Sequence, residues 1–158
     1  MFKCFLGCCF LAISTFSFAE QPTWYFVRHF EKQLGDNPSL TEIGKVRAQA
    51  LAVFFSDKTL NYVYSTDYHR TLETAAPISA LKDLPIKYYD PQILAEFAIK
   101  IKTLDHVLVV GHSNTTPQIL SLMGGEEIYI DESDYGVVYK LQKHNFEMIT
   151  KTIHISLN

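Results

Sequence analysis

The chain has 158 residues, 47% of them hydrophobic and 20% charged, with a formal net charge of −3 at pH 7. A chain of this length holds one domain with a full core and leaves no room for a second of similar size. Its charge balance gives no electrostatic ground for a nucleic-acid partner.

Residues 1–19 read differently from the rest. A lone Lys3 precedes an apolar run, and Ser17 and Ala19 set small residues just before Glu20, the pattern of a secretory signal peptide cleaved after Ala19. The run is broken by Gly7, Ser14, Thr15 and Ser17 and falls short of the ~20 apolar residues of a spanning helix. The expectation is an exported chain, periplasmic or secreted, not inserted in the membrane after cleavage, with residues 20–158 as its domain. Cys4, Cys8 and Cys9 all lie in the leader, so the remainder offers no disulfide, thiolate metal site or cysteine nucleophile.

After the leader, Thr23–Val27 reads as a centrally buried strand. Gly35–Ser39 is loop chemistry, and a helix comes next with Thr41 as N-cap and Val46, Ala50, Val53 and Phe54 as its apolar stripe. Leu60–Thr66 reads as a second strand, followed by a second helix disturbed at Pro77. A short strand at "PIKYYD" and a partly helical "PQILAEFAIKIKTL" lead to "DHVLVVGHS", the clearest buried strand in the chain. The helix after it carries Pro117 in its first turn and ends in two glycines. The C-terminal stretch alternates and turns at Lys143–Asn145, an antiparallel hairpin. Strands alternating with helices predict an α/β three-layer sandwich: a mostly parallel sheet, helices on both faces, the hairpin at the sheet edge.

Ligands of such sheets sit beyond the carboxyl ends of the strands. The first strand ends in Arg28-His29 and the fourth in Gly111-His112-Ser113-Asn114, while the second runs into a helix bearing Arg70. Taken singly, each is ordinary surface decoration. Together they place two histidines and two of the three arginines at one sheet edge. Guanidinium groups are planar, bidentate and permanently charged donors, suited to phosphate. Arginines flanking a histidine also favour the neutral ring that a nucleophile requires. His29 and Glu31 could begin a metal site, but no third ligand arrives at a suitable spacing.

The segments "VRHFEK", "LTEIGKVRAQAL", "YSTDYHRTLETAAPI" and "VLVVGHSNTTP" resemble the histidine phosphatase superfamily, which includes the phosphoglycerate mutases, and especially its small single-domain members. The resemblance implies a phosphomonoester hydrolase that needs no metal or cofactor and works on a phosphorylated substrate. His29 then matches the nucleophile that becomes a phosphohistidine, and Arg28 and Arg70 match the arginines that hold the phosphoryl oxygens. His112 matches the second histidine of the pocket, with Ser113 and Asn114 beside it at the helix start. A glutamate between the second arginine and second histidine serves many members as proton donor. Glu96 is the first candidate for it, with Glu31 and Asp67 in reserve.

Two features depart from the family pattern. Phe30 succeeds the nucleophile where glycine is usual, so its ring must turn away from the phosphate or narrow the pocket. Ser113 stands where another branch carries an aspartate, which argues against that branch. The rival reading is a non-catalytic periplasmic protein that binds a phosphorylated ligand in the same pocket.

Overall fold

The computed structural model describes residues 21–157; the leader expected over 1–19 lies outside them. Along the chain come β1 (Thr23–Arg28), α1 (Glu42–Phe54), β2 (Tyr62–Ser65), α2 (His69–Lys82) and β3 (Ile86–Tyr88). They are succeeded by α3 (Leu94–Lys102), β4 (Val107–Gly111), α4 (Thr115–Leu122), β5 (Val137–His144) and β6 (Glu147–His154). The strands form one sheet in the order β3-β2-β4-β1-β5-β6. β1 to β4 run parallel, β5 pairs antiparallel with β1, and β6 pairs antiparallel with β5. The architecture is the expected one, with the hairpin at the edge and its turn at Asn145, which takes φ 55°.

The central position of β1 and β4 comes from their composition. Every residue of both strands is buried, as a strand covered on two faces requires. Successive side chains point to opposite faces. Trp24, Phe26, Val107 and Val109 therefore enter one core, beneath Phe97 and Ile101 of α3 and Ile119 and Leu120 of α4. Tyr25, Val27, Leu108 and Val110 enter the other, beneath Leu51 of α1 and Ile78 of α2. The sheet is thus the middle of three layers. Among the described residues, no helix is long and apolar enough to cross a membrane.

Two local expectations are corrected. Thr41 does cap α1, its Oγ1 accepting from the Gly44 amide at 3.1 Å. The helix nevertheless buries Gly44, Ala48, Leu51 and Ala52, while Val46 and Val53 are 54% and 71% exposed. Close approach outweighs the apolar stripe. Gly44 lets the first turn lie on the Glu31 carbonyl, where any Cβ would clash. α2, in turn, runs unbroken through Pro77. An interior proline forfeits one helical hydrogen bond, and burial of Thr74, Ala75 and Ile78 around it keeps the helix whole.

Candidate active site

β1 and β4 are neighbours, with Arg28 opposite Gly111. The His29 amide donates to the Gly111 carbonyl at 2.9 Å, which extends the pairing by one residue. The segments that leave the two strands, His29 onward and His112 onward, therefore emerge at the same sheet edge. Gly111 is needed there: a Cβ would come within 2.8 Å of both the Tyr89 hydroxyl and Thr115 Oγ1. Above this edge lies a cavity of about 500 Å³ lined by His29, Lys32, Tyr68, Arg70, Pro91, His112, Ser113, Asn114, Thr115 and Glu132. Five residues singled out in the sequence, His29, Arg70, His112, Ser113 and Asn114, meet in its wall.

His29 is 3% exposed. Its Nδ1 lies 2.8 Å from the Phe30 carbonyl. A carbonyl only accepts, so Nδ1 carries the hydrogen and Nε2 keeps its lone pair. Burial lowers the pKa of His29 from the ordinary 6.5 to about 3; the Phe30 carbonyl opposes this, and Arg28, His112 and Arg70 reinforce it. The ring stays neutral at physiological pH.

His112 sits across from it, ring centroids 5.5 Å apart. Arg70 Nη2 donates to His112 Nδ1 at 3.4 Å, so the hydrogen is on Nε2, which donates to Thr66 Oγ1 at 2.9 Å. Thr66 passes its own hydrogen to Thr71 Oγ1 at 3.0 Å, and Thr71 donates to main-chain carbonyls. This buried chain fixes the orientation of His112. Burial first, then Arg70 and Arg28, lower its pKa from 6.5 to about 4. Tyr68 closes the side, edge-on to His112 at 5.1 Å and under the Arg70 guanidinium at 4.6 Å.

Arg28 departs from expectation. Its guanidinium does not line the cavity but lies behind it, 3% exposed. Nη1 donates to the carbonyls of Asp131 at 2.7 Å and Asp134 at 3.0 Å, and Nη2 pairs with Glu132 Oε2 at 2.9 Å. Tyr135 stacks on the same group at 4.3 Å. Arg28 thus pins the loop 131–135 against the site. A buried guanidinium needs such partners, and that loop, unremarked in the sequence, supplies them.

The three acid candidates lie elsewhere. Glu96 is exposed on α3 and lines a separate groove with Gln118 and Leu122. Burial of Leu94, Phe97, Ala98 and Ile101 directs it outward. Glu31 is clamped by Arg47 at 2.6 and 3.0 Å, a structural tie to α1. Asp67 lines a neighbouring hollow with Tyr88 and Asp90. The only carboxylate among the cavity-lining residues is Glu132. No spacing rule could have found it, because it reaches the site across 104 residues of sequence from Arg28.

Phe30 turns its ring away from the cavity. It is fully buried in the core that holds Leu40, Val63 and Leu108. Its φ is not among the positive values of the described residues, so no glycine is required at this position.

The two neutral histidines make stability pH-dependent. Unfolding restores their ordinary pKa, so below pH 6.5 the unfolded chain binds protons that the folded chain refuses until about pH 4 and 3. Their contribution to stability is therefore constant above pH 6.5 and falls as pH drops through that window. Urea titrations at pH 7 and 5 are expected to show a falling midpoint, with uptake of about two protons on unfolding near pH 5. The variant His112→Gln should remove about one of them. A midpoint independent of pH over this range would contradict the neutral pair.

A sequence profile of the histidine phosphatase superfamily, branch 1, matches residues 24–99. No curated protein matches the chain in sequence. Solved structures share its fold. The alpha-ribazole phosphatase from Shigella flexneri superposes with a TM-score of 0.68 at 15% identity, covering 85% of this chain and 96% of that one. The mycobacterial glucosyl-3-phosphoglycerate phosphatase gives 0.66 at 11% identity, covering 87% and 100%. The protein histidine phosphatase SixA, complexed with tungstate, gives 0.63 at 12% identity, covering 84% and 96%. Residues 24–99 thus match the histidine phosphatase superfamily in sequence, and the described chain shares the fold of these phosphatases.

Proposed function

We propose that the chain is a phosphomonoesterase that attacks phosphorus with Nε2 of His29 and works through a phosphohistidine. One observation carries this reading: the Phe30 carbonyl holds the Nδ1 hydrogen at 2.8 Å, leaving a free lone pair on Nε2 of a neutral ring in the cavity wall. Phosphoryl transfer otherwise asks for positioning and for positive donors around the equatorial oxygens. Arg70, Lys32 and the Ser113 hydroxyl supply donors in the same wall, so the reaction needs no metal. Arg70 Nε is buried without a hydrogen-bond partner, a costly state that an oxyanion offsets. An oxyanion beside His112 also favours a proton on Nδ1, turning that ring into a further donor.

The substrate class is read from the surroundings of the cavity. Past Tyr68 and Pro91 it adjoins a second hollow of about 410 Å³ that holds Tyr88, Tyr89, Asp67 and Asp90. Only 41 residues separate Arg70 from His112, too few for a large capping insertion. The phosphate is therefore carried by an exposed or bulky group, an envelope sugar or a phosphorylated macromolecule. A similar fold named for protein histidine phosphatase activity supports a macromolecular carrier, and one named for glucosyl-3-phosphoglycerate supports a sugar ester. Export, read from residues 1–19, makes the substrate periplasmic or extracellular.

The test is hydrolysis of an aryl phosphate by the purified chain in EDTA. Turnover inhibited by inorganic phosphate is expected. Phosphate binding by a folded chain without turnover would instead support a non-catalytic binding protein. Equal rates on free sugar phosphates and on macromolecular phosphoesters would remove the preference for a bulky carrier.

A further inference from the structure

We infer that Glu132 is the proton donor of this site: it protonates the leaving-group oxygen and then accepts the proton of the hydrolytic water. The inference rests on the phosphatase reading above. Position carries it. An alkoxide leaving group needs an acid within reach of the scissile bond, and Glu132 is the one carboxylate among the residues that line the cavity with His29.

Glu132 is held where such a group must stand. Its loop is fixed by Arg28 on the carbonyls of Asp131 and Asp134, and by the Asp131 side chain, which accepts from the Ser133 amide at 2.9 Å. The Glu132 side chain is nonetheless 76% exposed, with room to move with a substrate. Oε1 accepts a hydrogen bond from Ser113 Oγ, one residue from His112, and Oε2 pairs with Arg28. The carboxylate therefore bridges Arg28, the last residue of β1, and Ser113, two residues past β4, each next to one of the two histidines.

Its charge state changes with the substrate. In the free protein Ser113, Arg28 and Lys32 favour the ionised form, Asp131 opposes it, and Arg70 and His112 also feel its charge. A phosphoryl group that takes the Ser113 hydroxyl removes one of these donors and sets negative charge beside the carboxylate. Both changes raise its proton affinity.

The protons then balance. A phosphomonoester monoanion passes its proton to Glu132. As the bond from Nε2 to phosphorus forms and the ester O–P bond breaks, Glu132 returns the proton to the leaving oxygen and an alcohol departs. Water next attacks phosphorus and gives a proton to Glu132. The N–P bond breaks, its electron pair returns to Nε2, Glu132 passes its proton to the departing phosphate, and inorganic phosphate leaves as the monoanion with Glu132 ionised again.

The experiment compares an alkyl and an aryl phosphate with wild type, Glu132→Gln and Glu132→Asp, each checked for folding by its thermal midpoint. A phenolate leaves without help; an alkoxide does not. In Glu132→Gln the ratio of alkyl to aryl kcat/KM is expected to fall about 10²–10⁴-fold. In Glu132→Asp, which keeps an acid, part of it should return. Equal losses on both esters would overturn the inference in favour of a positioning role through Arg28. Gains on both, with tighter binding of inorganic phosphate, would overturn it in favour of a carboxylate that merely screens the pocket. A wild type that turns over neither ester sinks the phosphatase reading itself. Aryl turnover with an unchanged ratio sinks this inference alone.

Discussion

His29→Ala is expected to lose aryl phosphate turnover by about 10⁴-fold or more while binding inorganic phosphate within about fivefold of wild type. The asymmetry comes from the geometry. Phosphate oxygens have Arg70, Lys32 and Ser113 as donors in the cavity wall, and none of these depends on the His29 ring. His29 is neutral and turns a lone pair, not a hydrogen, toward the cavity, so its removal takes no hydrogen-bond donor from a bound phosphate. Covalent attack, in contrast, has no substitute: the only other imidazole in the wall, His112, is tied by Nε2 to Thr66 and by Nδ1 to Arg70. An aryl ester isolates this step, because its leaving group needs no acid. Residual turnover within tenfold of wild type would show that His29 is not the nucleophile.

Phe30→Gly is expected to destabilise the chain by about 4 kcal/mol. Deleting a fully buried Phe side chain costs ~3–5 kcal/mol, and glycine's greater freedom when unfolded adds ~0.5–1 kcal/mol. Against a total of ~5–15 kcal/mol for a domain this is a large loss, about 10–20 °C in thermal midpoint. Activity per folded molecule should change much less. The ring lies in the core with Leu40 and Val63, and the contacts that orient the site are main-chain ones: the Phe30 carbonyl to His29, and the Phe30 amide to Thr74 Oγ1 at 3.1 Å. A midpoint shift below ~3 °C, or a sharp rise in kcat/KM at a temperature where both forms are folded, would show that the ring crowds the phosphate instead.

The site was largely legible where function depends on chain direction. Apolar runs at Thr23–Val27 and "VLVVG" could only be buried parallel strands, and parallel strands deliver their succeeding residues to one edge. Chain direction alone thus places His29, Arg70, His112, Ser113 and Asn114 together, without any knowledge of loop geometry. It fails where contacts depend on helix phase or on a distant loop. Glu96 lies in the right interval of sequence, yet the buried positions of α3 point it away from the cavity. On α1 the larger apolar residues marked a face that Gly44 and Ala48 outcompete, because small residues let the helix settle closer to the sheet. Glu132 and Tyr135 join the site around the buried charge of Arg28, with Glu132 also accepting from Ser113. The sequence signals that arginine's need for a partner but not where the partner comes from.

The central claim is the covalent step at Nε2 of His29, and rapid quench of the purified chain during turnover of a radiolabelled phosphoester tests it most directly. The expected result is a chain-bound phosphoryl group that survives alkali, is lost in acid, maps to the peptide containing His29 and is missing from His29→Ala. An acid-stable phosphoryl group on another residue, or full turnover by His29→Ala, would contradict it.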